Sequence, residues 1–84
     1  MKLINIGFGN MVNSSKIIAV ISPESAPVKR LIQAAKEEGS VLDVTQGRKT
    51  KSVIVMENGQ YLLSALQTET IANRMQSGEK TEET

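Results

Sequence analysis

The hydrophobic pattern begins as an alternation. Leu3, Ile4 and Ile6 fall among Lys2, Asn5 and Gly7, which predicts a short strand over residues 3–6. Gly7-Phe8-Gly9-Asn10 then reads as a turn, because glycine and asparagine take positive φ at low cost. Met11-Val12 briefly resumes extended structure and Asn13-Ser14-Ser15 breaks it. Lys16 to Ser22 is the clearest strand. Its β-branched and nearly continuous apolar run predicts burial on both faces. Ser22-Pro23-Glu24-Ser25-Ala26-Pro27 has the form of a helix entry, with Ser22 and Ser25 both placed to cap and a proline in the first turn. Val28, Leu31, Ile32 and Ala35 then follow the i, i+3, i+4, i+7 spacing of one helical face, and Gly39 stands where a left-handed C-terminal residue belongs.

Ser40 to Thr45 predicts another strand, and Gln46-Gly47-Arg48-Lys49-Thr50-Lys51 a polar loop. Ser52 to Glu57 and Gln60 to Leu66 are strands joined across Asn58-Gly59, the strongest hairpin signal in the chain. Thr68-Glu69-Thr70 opens a second, shorter helix with Ile71, Ala72 and Met75 on its apolar side. The fold expected is α+β, a small mixed sheet of four to five strands with two helices. Residues 1–76 form one domain. Residues 77–84 have no hydrophobic side chain and are expected to be a disordered tail.

Composition removes several kinds of chemistry. The 84 residues include no cysteine and no histidine. A disulfide framework, a zinc site built on Cys or His, a cysteine nucleophile and a Ser–His–Asp triad are therefore excluded. Glu37 and Glu38 diverge by about 100° around a helix and cannot converge as a carboxylate pair. Asp43, between apolar residues in a strand, is expected to face solvent or an interface partner. Gly7-Phe8-Gly9-Asn10 superficially resembles the opening of a dinucleotide fingerprint, but Val12 stands at the third glycine position and no helix follows. No catalytic residue, metal site, cofactor or small-molecule substrate is expected. No segment reaches the roughly 18 apolar residues of a membrane span. The N-terminus lacks the apolar core of a signal peptide. A cytoplasmic protein without membrane contact is the expectation.

Size and charge point outward. A domain this small is marginally stable alone, and its composition leaves oligomerisation as the available reinforcement. The strands at 17–21 and 53–56 offer apolar side chains to both faces, more than one helix covers. A second copy of the chain is expected to cover the rest, the alternative being that the second helix folds back and suffices. Residues 1–76 carry nine Lys or Arg against six Asp or Glu. Arg48, Lys49 and Lys51 concentrate three of those cations in a loop that has no acid between Gln46 and Met56. Gly47 permits close backbone approach, and the Thr50 hydroxyl can donate to a phosphate. Phe8 and Tyr61 are the only aromatics, too few for a base-stacking platform, so duplex DNA gripped by its phosphates is favoured over a single strand.

Ile4-Asn5-Ile6-Gly7-Phe8-Gly9-Asn10, Ser22-Pro23-Glu24-Ser25-Ala26-Pro27-Val28-Lys29-Arg30 and Gly47-Arg48-Lys49-Thr50-Lys51 together resemble the RemA family of bacterial extracellular matrix regulatory proteins. So do Leu63-Ser64-Ala65-Leu66-Gln67 and Thr68-Glu69-Thr70-Ile71-Ala72. The resemblance runs in one register to about Met75. It implies a DNA-binding transcriptional activator of biofilm matrix genes, with a fold similar to the LytTR DNA-binding domain. It further implies a ring-shaped homo-oligomer, octameric or similar, that bends or wraps double-stranded DNA. The family's DNA-contacting positions fall on Lys16, Arg48 and Lys49, with Lys51 beside them. Relatives carry Arg where Lys16 and Lys49 stand, and Lys keeps the charge without the planar fork that grips phosphate. Two other readings use the same residues: a self-assembling scaffold for an acidic protein partner, and an RNA-binding regulator.

Overall fold

A computed structural model describes residues 2–83, with side chains described as far as Gln76. Strands β1 (Leu3–Asn5) and β2 (Met11–Asn13) pair antiparallel, with Ile4 opposite Val12. Asn13 then caps a single 3₁₀ turn, Ser14–Lys16, its Oδ1 accepting from the Ser15 amide at 3.1 Å and the Ser15 hydroxyl at 2.7 Å. The chain continues through β3 (Ile17–Ile21), α1 (Ala26–Glu38), β4 (Val41–Asp43), β5 (Ser52–Met56), β6 (Tyr61–Ser64) and α2 (Thr68–Glu83). The last four strands form a second sheet in the order β3-β5-β6-β4, in which β4 runs parallel to β6 and the other pairs are antiparallel.

The α+β class and the two helices agree with the sequence pattern, but the strands divide into two sheets where one was expected. The division follows from the 7–10 turn. The Ile6 amide donates to the Asn10 carbonyl at 2.8 Å, so β1 and β2 satisfy each other rather than extend the larger sheet. Their hairpin lies over one face of that sheet. Ile4 and Ile6 from the hairpin, Ile54, Leu62 and Ile71 of α2 form the buried core, with Val20 and Met75 packed around them. Val53 and Leu63, opposite each other in register, are buried on the other face. There Ile32 of α1 shares a groove with Leu63.

Helix α1 is capped as the sequence allowed. Ser25, not Ser22, takes the cap, its Oγ accepting from the Val28 amide at 3.4 Å, and Gly39 ends the helix at φ 77°. Three expectations change. β3 is an edge strand in which no residue is fully buried, and Ile18, at a bulge against β5, is 64% exposed. An apolar run signals a buried strand only if neighbours stand on both sides, and β3 has one, β5. α2, with 16 residues against 13, is the longer helix. On it Ile71 is buried and Met75 packs on the core, while Ala72 is exposed. The disordered tail expected over residues 77–84 overlaps the end of α2, which runs to Glu83, and of it only Thr84 lies outside the described backbone.

Candidate nucleic-acid interface

The basic loop is held at both ends by one strand. β4 and β5 flank β6, so residues 44–51 must cross the C-terminal end of β6. The Val44 amide donates to the Leu63 carbonyl at 3.0 Å on one side, and the Lys51 amide to the Ser64 carbonyl at 2.8 Å on the other. Between these anchors Asp43 closes a side-chain turn. Its Oδ1 accepts from the Thr45 hydroxyl at 2.6 Å and the Thr45 amide at 2.9 Å. Those two bonds, with a smaller contribution from the Lys36 charge, hold the Asp43 carboxyl below the usual carboxylate range against the opposing effect of its partial burial. Asp43 is exposed, in keeping with the sequence expectation, and in addition has a local task as the anchor of the loop. Spacing two residues before a threonine is the signal that would have found it.

Beyond Thr45 the backbone turns left-handed at Gln46 (φ 56°) and Gly47 (φ 79°), and the Arg48 amide donates back to the Thr45 carbonyl at 3.0 Å. This tight reversal projects Arg48 and Lys49 outward. Arg48, Lys49 and Lys51 are all exposed. A groove of about 640 Å³ on one side of the loop is lined by Lys49 together with Lys29 and Lys36 of α1 and by Glu24, so three cations and one carboxylate face it.

The tip of the β1–β2 hairpin meets the loop at the same end of β6. The Ser64 hydroxyl donates to the Ile6 carbonyl at 2.7 Å, in a fully buried position. Gly7 sits against Leu66 at φ 119°, a conformation glycine adopts without strain. Its amide donates to Asn5 Oδ1 at 2.7 Å, and its carbonyl accepts from both the backbone and side-chain nitrogens of Asn10. The next residue, Phe8, also has positive φ (53°). That costs a non-glycine residue about 1–2 kcal/mol. Phe8 is 52% exposed, and the Arg48 guanidinium lies 5.8 Å from the ring centroid. Phe8, Arg48, Lys49 and Lys51 line a groove of about 430 Å³ over Leu66. Sequence reasoning treated Phe8 as part of a turn. A bulky residue between two glycines was the available signal.

Lys16 is elsewhere. It ends the 3₁₀ turn, and its carbonyl accepts from the Glu57 amide at 2.8 Å, beyond the far end of β5. Lys51 precedes β5 and Glu57 follows it, so the loop and Lys16 stand roughly 20 Å apart at about 3.3 Å per residue. Within the chain Arg48, Lys49 and Lys51 come together and Lys16 does not. The Lys16 ammonium lies 3.5 Å from Glu57 Oε1, both side chains being more than half exposed. A surface pair of this kind holds its lysine weakly and yields it readily to a phosphate. Among the described residues there is no group of three or more His, Cys, Asp or Glu side chains suited to a metal ion, and no helix long and apolar enough to cross a membrane.

The arrangement defines a small α+β domain whose exposed cations stand on a doubly anchored loop. The chain belongs to the RemA-like family: residues 3–75 match the model of extracellular matrix regulatory protein A-like proteins. It is 64% identical over 81 residues to a protein of Lachnoclostridium phytofermentans, covering 96% of this chain and 89% of the other. It is 58% identical over 83 residues to one of Dictyoglomus turgidum, covering 99% and 98%. A Geobacillus kaustophilus protein is 53% identical over 75 residues, covering 89% and 86%. The names of these relatives describe them as regulatory.

Proposed function

We propose that this chain is a cytoplasmic, DNA-binding transcriptional regulator that assembles with copies of itself into a ring and bends or wraps duplex DNA around it. The observation that carries the reading is the locked loop at the end of β6, which holds Arg48, Lys49 and Lys51 exposed on one surface. None of the three has an acidic partner at ion-pair distance among the described residues. Backbone anchoring lowers the entropy lost when cations are fixed against phosphates. One protomer supplies few contacts, so useful affinity requires several loops acting together on one duplex. Self-association is supported by the open edge of β3 with Ile18 exposed, and by Leu42 on the opposite edge strand, 55% exposed. By family resemblance the fold is LytTR-like, the ring octameric or similar, and the regulated genes those of the biofilm matrix.

Light scattering, with and without a random-sequence duplex, combined with duplex affinity across a salt series, tests the proposal. The expected result is a mass of several subunits and an affinity that falls steeply with salt. A monomer, or an assembly with no salt-dependent affinity for duplex, would reject it. In the latter case a scaffold for an acidic protein becomes the reading, and a preference for folded RNA would point to an RNA regulator.

Glu57 tests whether the Lys16 end belongs to the same surface. Glu57→Gln removes the competing carboxylate, and duplex affinity should rise by about two- to fivefold, the range of an exposed ion pair. An unchanged affinity would place Lys16 off the DNA path.

A further inference from the structure

We infer that Phe8 is itself a duplex-contacting residue, and that it enters the DNA minor groove together with Arg48, whose guanidinium lies over its ring. The inference rests on the DNA-binding reading above and extends it to a side chain that carries no charge. Three observations converge on it. The hairpin tip places a phenylalanine in a left-handed conformation between two glycines that also have positive φ. Bonds from Gly7 to Asn5, from Asn10 to Gly7 and from Ser64 to Ile6 hold that tip rigid against β6. Phe8 is then left half exposed, with the Arg48 guanidinium 5.8 Å from its ring centroid.

An aromatic ring held in an unfavourable conformation, and left in water beside three cations, contributes little to the core. It has two uses toward a polyanion. One ring face confines the guanidinium to a plane, leaving the N–H edge free for phosphates or minor-groove acceptors. The rest of the ring presents apolar surface to deoxyribose and to a base step opened by bending, as apolar wedges do in minor-groove proteins that kink their DNA. Each subunit of a ring would then supply a cation and a wedge at the same point, and the duplex would be bent as well as neutralised.

The chain contains no tryptophan and one tyrosine, Tyr61, so Phe8→Trp installs a single tryptophan at the tip, excited selectively at wavelengths where tyrosine does not absorb. Adding a random-sequence duplex should quench that fluorescence, saturating at the concentration where anisotropy of the labelled duplex reports binding. Phe8→Gly relieves the left-handed strain while removing the ring. Its melting temperature should stay within about 3 °C of the parent. Its duplex affinity should fall about tenfold with the assembly mass unchanged. Binding by Phe8→Trp without a fluorescence change, or parental affinity in Phe8→Gly, would overturn the inference while leaving the DNA-binding reading intact. A changed mass in Phe8→Gly would overturn it by placing the ring between subunits. Failure of the parent chain to bind duplex would remove the reading on which it rests.

Discussion

Arg48→Ala should weaken duplex binding by about tenfold or more, make the salt dependence shallower, and leave both the assembly mass and the melting temperature close to those of the parent. The first expectation follows from position. Arg48 is the first residue beyond the left-handed turn at Gln46 and Gly47, it is exposed, and its guanidinium lies over the Phe8 ring with no acid at ion-pair distance among the described residues. A charge-assisted contact of this kind is worth about 1.5–3 kcal/mol when made. The salt slope reports how many phosphates are neutralised, so losing one cation per subunit should flatten it by about 0.9 for each subunit engaged. Stability should hardly move, because the loop is fixed by the Arg48 amide and by Thr45, which alanine retains. Arg48→Lys should fall between the two, since it keeps the charge and loses the planar fork. Lys49→Arg should bind as well as the parent or better. Dissociation of the assembly by Arg48→Ala would place the loop at a subunit interface and remove it from the DNA surface.

What the sequence discloses of this site is what local chemistry determines. Asn58-Gly59 forms the β5–β6 turn, with Gly59 at φ 87° and the Asn58 side chain accepting from the Gln60 amide. Gly7-Phe8-Gly9-Asn10 turns the chain where two glycines allow it, and Ser25 and Gly39 bound α1. The basic loop is equally plain, because three cations without an acid need no tertiary information to be noticed. Strand pairing is different. Nothing near residues 41–43 says that β4 lies parallel to β6 rather than beside β5, yet that choice carries the loop across the end of β6. Nothing near Phe8 says that Arg48 will stand over its ring, since the contact joins residues 40 apart in the chain. The roughly 20 Å between Lys16 and the loop is also a product of register. It becomes visible only when Ile17 is set opposite Met56. The charged residues of the candidate surface were legible one by one, and their grouping was not.

The residue on which that grouping depends is an uncharged one, and it gives the largest stability effect expected. Ser64 is fully buried at the end of β6. Its hydroxyl donates to the Ile6 carbonyl at 2.7 Å and accepts from the Leu66 amide at 3.0 Å, while its own carbonyl receives the Lys51 amide. One side chain thus ties the hairpin that carries Phe8 to the strand under the loop that carries Arg48. Ser64→Ala leaves the buried Ile6 carbonyl without its partner, at about 1–3 kcal/mol, and the partly buried Leu66 amide without its own at a smaller cost. Against a total stability near the lower end of 5–15 kcal/mol, that is a large fraction, and the melting temperature should fall by about 10 °C or more. Ser52 supplies the control, for it is the cross-strand neighbour of Ser64, it is equally buried, and its hydroxyl has no hydrogen-bond partner among the described residues. Ser52→Ala removes a polar atom that makes no bond and should leave the melting temperature unchanged or raise it. Equal losses from the two alanines would mean that packing at the end of β6, rather than the bond to Ile6, unites the two sheets. A loss confined to Ser64→Ala, with duplex affinity reduced even well below its melting temperature, is the expected outcome, because the Phe8 tip and the Arg48 loop are then no longer held to the same strand.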